Sequence, residues 1–313
     1  MSDLSTTGKW RDRLRELHRG WERHAAGIPP EPSAGRPPTW RTVSEIPPDF
    51  ADIIVLDGQA PDLSGLVDNP RVEALGLTHE ADDGVLQLIS KLTSLRSLSL
   101  YVARGADPAP LRRLTGLEHL SLGGSDIRTL DVLKYFRNLA TLALSDLRKV
   151  HGIEPLSSLH GLRWLFISGG MWSKFRLPTL KPLASLTHLE GLLLISTHVE
   201  DGSLAPMTHL SRLRHVGLPN YFATAEFARL AAALSDNIPR LRSPWFREPY
   251  ATDKTHYAAC KTCHAYVRGI TIGKPTKHLC PHCHADRMAR HVKHWEDLVR
   301  AARDRLQRSK AAT

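Results

Sequence analysis

One short frame recurs along most of this chain and constrains it more than any other feature. The pattern L-x-x-L-x-L occurs at Leu95, Leu98, Leu100, then at Leu117, Leu120, Leu122 and at Leu139, Leu142, Leu144. It continues at Leu162, Leu165, Ile167, at Leu189, Leu192, Leu194 and at Leu213, Val216, Leu218. Weaker copies precede these, at Phe50, Ile53, Val55 and at Val72, Leu75, Leu77. The middle residue moves through positions 53, 75, 98, 120, 142, 165, 192 and 216, so the steps are 22, 23, 22, 22, 23, 27 and 24 residues. A unit of this size cannot bury its own apolar face, whereas stacked units share one continuous core.

A second spacing falls between the frames. Leucines step by three before most of them, as at Leu111, Leu114, Leu117, at Leu156, Leu159, Leu162 and at Leu183, Leu186, Leu189. That step suits a tight 3₁₀-like turn on the outer face. Frame and step together resemble the leucine-rich repeat superfamily over residues 49–240, in about eight short units like those of the bacterial internalins. The resemblance implies an α/β solenoid with a parallel sheet on its concave face. One departure is clear. The family places Asn three residues after the third strand position, where this chain has Glu80, Ala103, Ser125, Leu147, Gly170, Thr197 and Tyr221. Without that side-chain ladder, irregular turns are expected.

The repeats need covers at both ends. A helix starting at Thr224, with the Thr as N-cap, is expected at the C-terminal end. Residues 1–28 form an amphipathic helix with Trp10, Leu14, Leu17, Trp21 and Ala25 on one stripe. A Pro-rich linker follows at 29–48, and the helix is expected to cap the first repeats. After a second linker, 241–254, come a cysteine module at 255–285 and a basic helix at 286–310. The net charge of +10 is concentrated in this tail: residues 241–313 hold 15 Lys and Arg against 6 Asp and Glu. Such asymmetry points to an anionic partner. The N-terminus has no apolar signal-peptide region and no segment is apolar enough to span a membrane, which implies a cytoplasmic protein.

Strand alternation sends the residues between the leucines to the concave face. There Trp164, Phe166, Leu193 and Ile195 make an apolar, aromatic cluster on adjacent units. The 27-residue step inserts a loop nearby that carries Trp172 and Phe175. A contiguous exposed apolar surface marks a contact site, so these six residues are candidate contacts for a protein or peptide. Two other readings stand beside this one: the loop folds back over the cluster, or a terminal helix of the same chain covers it.

All four cysteines lie in C-x₂-C-x₁₆-C-x₂-C, as Cys260, Cys263, Cys280 and Cys283. In a reducing compartment this spacing signals four thiolates around one structural zinc, as in a zinc ribbon. His264 and His284 follow the knuckles, and either is an alternative ligand. A closed four-thiolate site leaves no open position for catalysis. The helix beyond carries Met288, Val292, Trp295, Val299, Ala302 and Leu306 at 4–3 spacing, which suits pairing with a second copy, giving a homodimer, or with the N-terminal helix. Lys261, Arg268, Lys274, Lys277, Arg287 and Arg290 are candidate anion contacts. No phosphate loop, nucleophile elbow or H-E-x-x-H motif occurs. The sequence therefore reads as a non-enzymatic recognition scaffold with a zinc ribbon for docking or oligomerisation. The alternative reading is a nucleic-acid-associated adaptor that uses the basic tail.

Overall fold

The repeated frame makes strands that stack in register. A computed structural model describes residues 9–25, 39–41, 43–46, 54–56, 63–67, 69, 71–124, 126–170, 172–234, 236–247, 260–264 and 269–311. Nine parallel strands form the main sheet: β1 (Thr39–Trp40), β2 (Ile54–Leu56), β3 (Ala74–Ala81), β4 (Ser97–Val102), β5 (His119–Gly123), β6 (Thr141–Ser145), β7 (Trp164–Ser168), β9 (Gly191–Ile195) and β11 (His215–Gly217). Their order follows the sequence, with β8 (Phe175–Leu177) and β10 (Thr197–Val199) set aside as a separate parallel pair. The outer side carries α2 (Ser64–Val67), α3 (Asp83–Ile89) and then 3₁₀ turns at Ala109–Arg113, Asp131–Tyr135, Glu154–Ser158, Lys181–Ser185 and Ala205–His209. This is a leucine-rich repeat solenoid.

The register rows are the leucine frame itself. Leu75, Leu98, Leu120, Leu142, Leu165, Leu192 and Val216 stand opposite one another in turn. Nearly all are fully buried, and each Leu taken from water contributes roughly 1.5–3 kcal/mol. The first unit departs from the sequence reading. Ile54, not Ile53, stands opposite Leu75, and Ile54 and Leu56 face the core. Strand side chains alternate, so a one-residue slip exchanges the two faces. Phe50, Ile53 and Ser125 lie outside the described residues.

Two positions of the lost Asn ladder are filled in other ways. Leu147 is buried in the core, and buried Thr197 donates its hydroxyl to Ile195 O at 3.0 Å. The register of β3 against β4 shifts between Gly76 and Glu80. The long step is taken up by β8, whose alternate residues Phe175 and Leu177 enter the leucine core. Phe175, expected on the concave face, is therefore a core residue at 2% exposure.

Both ends correct the expected organisation. At the first repeats the covering strand is β1, inside the segment assigned to a linker, and Trp40 packs on the core. The helix α1 (Lys9–Ala25) does not cap that end; it lies in the concavity. At the other end α4 (Thr224–Leu234) closes the solenoid as expected, but Thr224 is no N-cap. Its hydroxyl donates to Ile272 O and Lys274 O, both at 3.2 Å.

Those acceptors belong to the cysteine module, which is built of β12 (Trp245–Arg247), β13 (Gly269–Thr271) and β14 (His278–Leu279) as an antiparallel sheet. β12 lies in the second segment read as linker. Asn220 clamps the junction: its amide donates to Thr271 O at 2.9 Å, and its Oδ1 accepts from Gly273 N–H at 2.7 Å. Gly273 has φ +82°, and a Cβ there would meet the Thr224 backbone at 2.5 Å, so only glycine fits. The module is thus fused to the repeats. This attachment directs α5 (Ala285–Ala311) back over α4, where Trp295 is 3% exposed within the main core and Leu298 and Val299 pack beside it. Trp295 and Val299, in the middle of the stripe expected to pair with a second copy or with α1, pack instead on the end of the solenoid that α4 closes.

Candidate functional site

The concave face has an occupant. α1 crosses the strands rather than following them. At about 1.5 Å per residue its 17 residues span about 25 Å, close to five strand spacings of about 4.8 Å. At its start, the Trp10 indole N–H donates to Glu73 Oε2 at 3.1 Å, and Arg11 Nη2 meets Glu118 Oε1 at 3.3 Å. These carboxylates also face the positive end of the helix dipole. In the middle, His18 Nε2 bonds Thr141 Oγ1 at 3.0 Å and its ring stacks on Trp164 at 4.7 Å. Near the end, Trp21 stacks on Phe166 at 5.3 Å, and Glu22 lies 3.7 Å from His215. The helix stripe is Trp10, Leu14, His18, Trp21 and Ala25, while Leu17 points out at 39% exposure.

Trp164 organises the seat. Its indole lies between the His18 and His215 rings, with His215 at 5.3 Å. Gly191 is its neighbour one strand on, and any Cβ there would collide with the indole, so glycine permits the ring to lie over β9. Of the six expected contact residues, Trp164 and Leu193 are buried and Phe166 is half-buried, all in a cluster with Trp21 and Ala25. Ile195 is half-buried, Phe175 is in the leucine core, and Trp172 stands out at 91% exposure. Reading the sequence missed His18, Thr141 and His215 as seat residues. The signal was there: His18 continues the Leu14–Trp21 stripe as well as Leu17 does.

Burial makes the seat sensitive to protons. The His18 imidazole is held down to about 4, first by burial, then by the Arg163 guanidinium, with Glu190 opposing. Arg163 is itself engaged by Glu190 through two 2.9 Å hydrogen bonds. His119, beneath the helix, is likewise held near 4 by burial and by His18. Its Nδ1 has no hydrogen-bond partner among the described residues. His215 and Glu22 face the same stack. A released helix protonates His18 at its ordinary value of about 6.5, so the undocked state binds the extra proton between pH 6.5 and about 4. Docking is therefore expected at full strength above pH 6.5 and to weaken as pH falls toward 4. Hydrogen exchange of α1 amides between pH 7.5 and 4 reads this, corrected for intrinsic rates; His18→Gln should flatten the dependence, and equal slopes in both proteins would refute it.

α1 leaves part of the concavity open. A cavity of about 420 Å³ lies beside Phe166, with Tyr101, Ser121, Ser145, Ser168 and Asp146 around it. The adjoining loop carries Trp172. The open row thus has hydroxyls and aromatic edges, whereas the covered seat combines the apolar Ala143, Trp164 and Leu193 with the polar His119 and Thr141.

The second candidate is the cysteine cluster. Its four Sγ atoms lie within 4.8 Å of one another, with Cys260–Cys283 at 3.8 Å and Cys263–Cys280 at 3.5 Å. A tetrahedron with metal–sulfur bonds of about 2.3 Å has edges of about 3.8 Å, so the donor set fits one four-thiolate metal. The knuckle's own N–H groups, that of Cys263 first and then that of Thr262, hold the Cys260 thiol down to about 6. The crowding of thiols, Cys263 first, pushes Cys283 up to about 12. A divalent cation would resolve that conflict by coordinating all four as thiolates. His284 is turned away from such a role: its Nδ1 accepts from Cys280 N–H at 3.2 Å. His264 sits at φ +54°, in the left-handed region that favours glycine.

Lys261, Lys274, Lys277, Arg287 and Arg290 are exposed, on the ribbon and the first turns of α5; Arg268 lies outside the described residues. No helix among the described residues is long and apolar enough to cross a membrane. No family model and no curated protein matches the chain. Among solved structures it is similar to internalin C2 of Listeria monocytogenes, at 24% identity and TM-score 0.42, over 53% of this chain and 70% of that one. It is similar to a leucine-rich repeat protein of Leptospira interrogans at 18% identity and TM-score 0.42, over 58% and 53%. A further internalin of Listeria monocytogenes is 15% identical with TM-score 0.34, over 74% and 84%.

Proposed function

We propose that this chain is a non-enzymatic recognition protein. Its concave face takes a protein or peptide segment, and one zinc ion held by Cys260, Cys263, Cys280 and Cys283 locks the C-terminal cover. The zinc is structural: four thiolates close its coordination sphere, and the metal supplies rigidity rather than chemistry. The observation that carries the recognition reading is the concave strip itself. Large apolar and aromatic side chains, Trp164, Phe166 and Leu193, stand on the sheet face away from the leucine core and already hold a polypeptide segment against it. Exposed Trp172 and the 420 Å³ cavity extend that surface beyond the part α1 covers. Aromatic anchors of this kind dominate binding energy at protein interfaces.

Photo-crosslinking in the source cell tests the proposal. A benzophenone amino acid placed at Trp172 or Ser121 is expected to capture a discrete protein. The same group at Tyr135, on the outer 3₁₀ turn and 52% exposed, is expected to capture none. Adducts that are absent, or equal at inner and outer positions, would refute recognition by the concave face.

A further inference from the structure

We infer that α1 is a resident stand-in for the partner, and that the groove is a receptor for an amphipathic helix. That helix carries two bulky aromatic side chains eleven residues apart, an arginine beside the first of them, and its N-terminus toward the first repeats. The inference rests on the recognition reading above and names the partner's chemistry.

Each element of the description is read from the seated helix. Trp10 and Trp21 are its buried anchors, about three turns or 16 Å apart. The first anchor and the cation beside it answer Glu73 and Glu118, which rim the groove at its first-repeat end. The same carboxylates favour a helix N-terminus over a C-terminus there, and this sets the direction. Between the anchors the groove offers a polar row, His119 and Thr141, so the middle of the ligand must be polar.

Three observations separate this from a helix that merely completes the core. The seat is its own cluster of Trp21, Ala25, Ala143, Trp164 and Leu193, distinct from the continuous leucine core that the repeats close by themselves. Seating α1 leaves His119 Nδ1 buried without a partner among the described residues, an unfavourable state for a polar group. Seating also holds His18 neutral, and Leu17 stays half out in water. A partner helix with a side chain that pairs with His119 at the His18 position would fit better than α1 does. Tethering supplies what α1 lacks in fit, because a segment on a short linker sits at roughly millimolar effective concentration. An outside helix must outcompete that tether, which sets a threshold for entry.

The probe is a fluorescein-labelled synthetic peptide of residues 9–25, titrated against the full wild-type chain and the full Trp10→Ala/Trp21→Ala chain. The double variant is expected to bind the peptide. The wild type should bind about tenfold more weakly or worse, because its own α1 competes. A Trp21→Ala peptide should also lose about tenfold or more. Failure of the double variant to bind while it keeps a native thermal transition would overturn the inference, as would equal binding of the two peptides. Should the double variant lose its transition, hydrogen exchange of the wild type decides. Faster exchange in α1 than in β5–β7 supports a separable occupant; equal protection means α1 is part of the core. Adducts at position 172 without peptide binding would leave recognition standing and reject only the helical partner.

Discussion

Cys280→Ser is expected to abolish bound zinc and to unfold more than the ribbon. Metal analysis should fall from one ion per chain to near none, since three thiolates remain of a closed four-ligand site. The larger consequence follows from the attachment. Ile272 and Trp295 are both part of the main core, and both are held there by the ribbon and the helix that leaves it. Loosening the ribbon exposes them together with the α4 face they cover. At roughly 1.5–3 kcal/mol per large side chain, the loss is about 5 kcal/mol for two or three residues. For a chain of this size that lowers the melting temperature by about 10 °C or more. Chelation of the wild-type protein should reproduce the shift. An unchanged melt with zinc removed would show the ribbon to be an independent module, as the linker expected at 241–254 implied.

Trp164→Ala is the second large effect, and the structure changes what it should do. From the sequence, Trp164 is either a partner contact whose loss weakens binding or a residue covered by the inserted loop or a terminal helix of the same chain, and the structure bears out the helix. In the structure its indole sits under α1 between two imidazoles and over Gly191. Truncating a buried Trp costs about 3–5 kcal/mol. Because the solenoid core is continuous without it, most of that loss should fall on α1 docking. We expect α1 amides to exchange rapidly in Trp164→Ala while β4–β6 stay protected, with the main denaturation midpoint nearly unchanged. Uniform loss of protection across the repeats would show that α1 and the solenoid fold as one unit.

How much of this was legible in the sequence follows from the range of the interactions concerned. The stacked strands were legible because the leucine frame is local, periodic and repeated. Eight copies average out the irregularity of any one, and the single misread unit, at Ile54, is the one with the weakest frame. The 3₁₀ turns were legible from the step of three. The cluster of four cysteines was legible because both C-x₂-C knuckles are local, and the short stretch between them brings them together.

Where the terminal helices go was not legible. α1 and α5 advertise apolar stripes, and a stripe states only that something must cover it. The sequence could not say that Trp21 finds Phe166 or that Trp295 finds α4, since those pairs are decided by Asn220, Thr224, Glu73 and Glu118, single residues with no periodicity to reveal them. Nor could it show that the two linker segments contain β1 and β12, strands of two and three residues, too short for a pattern. The sequence by itself thus determined a leucine-rich repeat solenoid, its register from the second repeat onward and the gathering of four cysteines, because each repeats a local rule. Only the tertiary structure decided that the concavity is filled from within and that the ribbon is welded to the last repeat, because those outcomes depend on long-range contacts between residues far apart in the chain.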